Sequence, residues 1–126
     1  MVGLKAKISV GKELEVLMRT PEGLKVQADI KRDTRLYSAP MNPPGTGTAF
    51  TTGTDLCCHK ARSGRLFYYG FSWSLWQGDS DHYKLLEEDG AKEFVLRKAT
   101  IARFVAGVNE DACKELWGED FFDEDA

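Results

Sequence analysis

The sequence predicts an α+β fold: an antiparallel β-sheet of about five to seven strands in meander order, with two C-terminal helices packed on one face. Three observations carry this expectation. Apolar residues alternate with polar ones through most of the chain up to Leu86, the period of half-buried strands. Short Gly- and Pro-bearing links separate these runs, which favours antiparallel neighbours. After about Asp89 the apolar spacing changes to three and four, the period of a helix.

The elements follow in order. Leu4, Ala6, Ile8 and Val10 alternate with Lys5, Lys7 and Ser9, and Gly11-Lys12 can turn the chain into a second alternating run at Leu14, Val16 and Met18. Pro21-Glu22-Gly23 is a turn signal, because proline presets φ and glycine accepts a positive one. Leu24, Val26, Ala28 and Ile30 then form the clearest strand pattern. A short Leu36-Tyr37 segment precedes an irregular stretch, 39–54, crowded with Pro, Gly and Thr. Loops of that length tend to be functional or mobile. Strand character resumes at Asp55, turns at Ala61–Gly64 and returns as RLFYYGFSWSLW. In that return strand Phe67, Tyr69, Phe71, Trp73 and Leu75 share one apolar face, which must meet the core. Leu66, Tyr68, Gly70, Ser72, Ser74 and Trp76 share the other, which the two-residue period leaves available for contact. HYKLL is a last short strand. Ala91, Phe94, Val95, Ala99 and Ala102 mark one helix face, with Glu87–Asp89 where the helix dipole favours negative charge and Gly107 as a stop. Asn109 can cap a second helix faced by Ala112, Cys113, Leu116 and Trp117 and ended by Gly118.

A chain of 126 residues is one domain by length. The expected domain is 1–118, followed by an acidic, frayed tail at 119–126. The net charge of −3 hides an asymmetry: Glu110–Ala126 holds eight acids and one lysine, so the preceding body is net basic by 4. No apolar run approaches the roughly 20 residues of a membrane span, so no membrane partner is expected. The opening MVGLKAKISVGKELEV lacks a continuous apolar stretch and a small-residue cleavage site, and reads as strand rather than secretion signal. Three cysteines, two of them adjacent, suit a reducing cytoplasm better than a disulfide scaffold.

Catalytic motifs fail one after another. NPPGTGTAF, residues 42–50, resembles the phosphate loop GPPGTGKT, yet Thr48 stands for the lysine and Ala49 for the hydroxyl residue. Both ion-handling side chains are therefore missing, and no helical pattern follows. Cys57, Cys58, His59, His82 and Cys113 are zinc-type ligands without paired spacing, so neither a metal site nor a cofactor is expected. Asp79-Ser80-Asp81 lacks the later ligands of a calcium loop. Gly70-Phe71-Ser72-Trp73-Ser74 lacks the last glycine of a nucleophile elbow and sits within a strand. An unrecognised enzyme would have to use Cys57, Cys58, His59 and His82, against the alternative that these thiols are simply buried.

What survives is a surface. Lys60, Arg62 and Arg65 cluster at the hairpin tip beside Tyr68 and Trp76, and Phe50 can anchor the long loop. Aromatic rings beside cations are the composition of a protein-binding hot spot and also of a single-strand nucleic-acid groove. The expectation is a small non-enzymatic binding or regulatory protein that contacts another protein through the 62–76 hairpin and the 40–54 loop. Single-stranded nucleic acid on the same strand is the alternative. An open sheet edge or the mixed-face aromatics could also support a homodimer.

Overall fold

A computed structural model describes residues 4–10, 13–41, 51–75 and 81–123, with side chains described from residue 17 onward. Seven strands precede three helices among the described residues: β1 (Leu4–Val10), β2 (Glu13–Arg19), β3 (Lys25–Ala28), β4 (Thr34–Tyr37), β5 (Thr52–Lys60), β6 (Leu66–Ser74), β7 (His82–Leu86), α1 (Glu88–Ala99), α2 (Ala102–Val105) and α3 (Glu110–Trp117). The fold is α+β, as the periodicity implies. The strands divide into two antiparallel sheets, β1-β2-β3 and β4-β5-β6-β7, and this division is not written in the alternation.

The four-stranded sheet is the middle layer. On one face Cys57, Tyr69, Phe71, Trp73 and Tyr83 pack against Met18, Val26 and Ala28 of the smaller sheet. On the other, Leu36, Leu56, Cys58 and Tyr68 pack against Ala91 and Val95 of α1 and Cys113 of α3. Both rows of β6 are therefore covered. Burial of a large apolar side chain contributes about 1.5–3 kcal/mol, so a strand with rings on both faces needs a cover on each.

Local chemistry sets the boundaries. β3 stops at Ala28 because the Asp29 carbonyl accepts from the N–H groups of Arg32 and Asp33, while its side chain accepts from the N–H of Lys31. Such self-bonding is how aspartate nucleates turns. β5 begins at Thr52, not at Asp55, pairing Thr52 with Ser74, Gly53 with Trp73 and Thr54 with Ser72. Glycine is required at 53: a Cβ there would lie 2.6 Å from that of Ala39 and 2.8 Å from the Trp73 ring. The first predicted helical stretch is broken, since Thr100 donates its hydroxyl to the Arg97 carbonyl at 2.8 Å and Ile101 is extended, leaving α1 and the short α2. Asn109 caps α3 by accepting from the Ala112 N–H, and Gly118, at φ 110°, ends it.

The helices are stitched to the sheet edge. Ser38 N–H donates to Gly107 O, Asn109 N–H to Leu36 O and the Asn109 side-chain amide to Arg35 O. The 107–109 link thus covers β4, an edge that would otherwise present unpaired backbone. Beyond Gly118, Phe121 and Phe122 are partly buried against the helical cluster, with Phe121 4.7 Å from Trp117 between ring centroids. Packing therefore continues past the boundary at residue 118 that the sequence suggests.

Candidate functional site

The β5–β6 hairpin closes through Ala61 N–H to Arg65 O and Gly64 N–H to Ala61 O, both 2.9 Å. Gly64 takes φ +94°, a conformation that side chains disfavour. This turn brings Lys60, Arg62 and Arg65 together at the exposed end of the sheet. Arg65 is engaged: its guanidinium lies 3.2 Å from the Glu22 carboxylate and 4.8 Å from the centre of the Phe67 ring. Thr20, the Glu22 backbone and Arg65 bond the Glu22 carboxylate and hold its pKa below the ordinary value.

The expectation that Tyr68 lies on an open face is corrected. It is 5% exposed, its ring is tilted against Trp117 at 5.7 Å, and its hydroxyl accepts the Trp117 indole N–H at 3.3 Å. The reason is the second cover: α1 and α3 occupy the face that the period of two leaves open. Phe50, Trp76 and the 42–50 segment lie outside the described residues.

Two clefts flank the hairpin. One, of about 700 Å³, lies between the hairpin, the 20–22 turn and the β7–α1 junction. Leu66, Phe67, Leu85 and Leu86, which come from both faces of the sheet, line it together with Arg65, Glu22, Glu87 and Glu88. The other, of about 920 Å³, is polar and holds Lys60, Arg62, Asp33 and His59.

In the polar cleft a network appears that the spacing does not announce. Asp33 accepts from Tyr69 OH at 2.7 Å and from the Asp29 N–H at 2.9 Å, and its other oxygen is 2.9 Å from His59 Nδ1. A second carboxylate, Asp55, accepts from Arg35 at 2.6 Å, Ala39 N–H at 2.7 Å and Trp73 Nε1–H at 3.1 Å. Both acids are anchors that satisfy buried donors of the main chain and the aromatic rows. Asp55 had one legible signal, since it shares the inward row with Cys57 and His59. Asp33 had none, because its side-chain partners are 26 and 36 residues away.

The thiol–imidazole candidates are not assembled. Cys57, Cys58 and Cys113 are buried, and burial pushes each thiol up to about 11, which suppresses the nucleophilic thiolate. Cys57 and Cys58 face different cores. Register places Cys57 in the row of Tyr69 and Leu85, whereas His82 stands in the row of Thr54 and Ser72 toward the other end of the sheet. His59 serves Asp33 instead.

Compared with protein-family models, curated proteins and solved structures, the chain matches none. The fold and the site define a small α+β protein whose central sheet is covered on both faces, with a basic hairpin set between two clefts.

Proposed function

We propose that this is a non-enzymatic binding protein that docks another protein on the β5–β6 hairpin and the cleft beside it. One observation carries the reading: Leu66, Phe67, Leu85 and Leu86 line a cleft together with Glu22, Glu87, Glu88 and Arg65, where Glu22 pairs with Arg65, Glu88 pairs with Lys92 and Glu87 has no ion-pair partner among the described residues. Such a cleft suits a segment that presents an apolar side chain flanked by lysine or arginine. One buried apolar anchor contributes about 1.5–3 kcal/mol, and each rim ion pair at most about 1. A transient complex follows.

The same charges weigh against nucleic acid on this strand. With Tyr68 covered, base stacking loses its ring, and Glu22, Glu87 and Glu88 repel phosphate. Lys60 and Arg62 remain on the other side of the hairpin, so single-strand binding is the runner-up. A cytoplasmic location accords with three unpaired thiols.

The test is a display screen of apolar-basic peptides, followed by titration of the selected peptides against wild type and Leu85→Lys and Arg65→Ala variants of unchanged circular dichroism. Selected peptides should lose affinity for Leu85→Lys and respond weakly to salt. Equal affinity for wild type and Leu85→Lys sinks the proposal. Oligonucleotide binding that falls steeply between low and moderate salt would replace it with the nucleic-acid reading. Sedimentation of the protein alone reads out self-association.

A further inference from the structure

We propose that a separate cavity, at the far end of β5 from the hairpin, binds a small organic anion: a carboxylate or phosphate on an apolar body. It encloses about 480 Å³ between α1, α2 and the start of β5, within the roughly 300–1,000 Å³ of small-ligand sites. It shares no lining residue with the cleft assigned to protein docking, so the two readings stand or fall separately.

Three aromatic rings line it, and the charged residues among its described lining, Lys98 and Arg103, are both cations. Tyr37 and Phe94 meet edge to face at 5.6 Å, and Phe104 adds a third ring. Lys98 Nζ lies 4.5 Å from the Phe104 centroid and 5.4 Å from that of Phe94; the Arg103 guanidinium is 5.2 Å from Phe104. Among the described residues no carboxylate lines the cavity. Elsewhere on α1 the cations are neutralised one turn back, Lys92 by Glu88 and Arg97 by Glu93. The corresponding position for Lys98 is Phe94, so its ammonium rests on rings. Two positive charges gathered on one ring without an acidic partner among the described residues are a place where an anion is favoured.

A second observation points to a ligand. The Tyr37 hydroxyl is buried and has no hydrogen-bond partner among the described residues, and native proteins rarely leave such a group unpaired. Desolvation, and secondarily Asp55, raise its pKa, so it stays a protonated donor. Once the cover over the end of this ring moves, a ligand oxygen would accept that hydrogen while the ammonium and guanidinium neutralise the headgroup. The rings would hold its apolar body.

Titration of the full chain with benzoate, phenyl phosphate and neutral benzyl alcohol, followed by ¹H–¹⁵N NMR, tests the site. At least one anion should give saturable shifts at Gly53, Thr54, Lys98 and Phe104, and benzyl alcohol none. The tighter anion identifies the headgroup. Lys98→Met should weaken it about tenfold, as loss of a charge-assisted contact does. Tyr37→Phe should weaken it without lowering the melting temperature, because no described residue bonds the hydroxyl. No saturable shift from either anion by about 10 mM overturns the proposal. So does benzyl alcohol binding as tightly as the anions, or unchanged affinity in both Lys98→Met and Arg103→Met. A drop in melting temperature for Tyr37→Phe removes the hydroxyl from the site.

Discussion

Asp33→Ala isolates the polar network that ties the 29–33 turn to the middle sheet. The carboxylate takes hydrogens from Tyr69 OH and the Asp29 N–H and pairs with His59 Nδ1. Tyr69 is fully buried, so its hydroxyl would lose its carboxylate acceptor and keep only the weak contact with the Cys57 thiol, a loss of about 1–3 kcal/mol. The other two bonds add about 1 kcal/mol each, for a total of roughly 3–5. That is a large share of the 5–15 kcal/mol typical of a domain, and corresponds to a fall in melting temperature of roughly 10–20 °C. Urea unfolding with linear extrapolation measures it directly. Adding Tyr69→Phe removes the stranded hydroxyl, so the double variant should recover about 1–3 kcal/mol relative to additivity. A cost for Asp33→Ala below about 1 kcal/mol, or strict additivity with Tyr69→Phe, would falsify the anchoring role.

Three more outcomes can be checked on the same apparatus. Iodoacetamide should leave Cys57, Cys58 and Cys113 unmodified until the protein is unfolded; stability should also fall as pH rises from 9.0 toward about 11, because the unfolded chain releases its thiol protons first and binds fewer. Native labelling, or a flat profile across that window, contradicts their burial. Gly107→Ala should cost about 2–4 kcal/mol, since a Cβ there runs into the Ser38 carbonyl and breaks the bonds to Ser38 and Leu36. A neutral outcome in urea unfolding would show that the link is not tightly docked. Phe121→Ala with Phe122→Ala should lose about 1–3 kcal/mol, in proportion to their partial burial. Truncation of 119–126 should then destabilise the protein, as thermal melts of the truncated chain would reveal.

The hairpin, its basic tip and the capped last helix were legible because each is written in neighbouring residues. Ala61–Gly64 is a turn by composition, Asn109 caps by its own side chain, and the β6 alternation assigns Tyr69, Phe71 and Trp73 to one face. Tyr68 misled because alternation separates two faces without saying what lies over either. Asp33 was invisible for a related reason. Its role comes from Tyr69 and His59, which reach it only when β6 and β5 are laid beside the turn. Lys98 has no signal in local order, because it is the fold of α2 that sets Arg103 beside the same ring.

The sequence by itself determined the periods, and with them which residues share a strand face or a helix face and where glycine, proline and asparagine turn or cap the chain. Those are interactions within a few residues, and their physics is complete in local order. Only the tertiary structure decided that the strands form two sheets, that helices seal the Tyr68 row, and that Lys98 and Arg103 meet on the Phe104 ring. Such pairings join residues far apart in the chain, and depend on which apolar surfaces find one another when water is expelled.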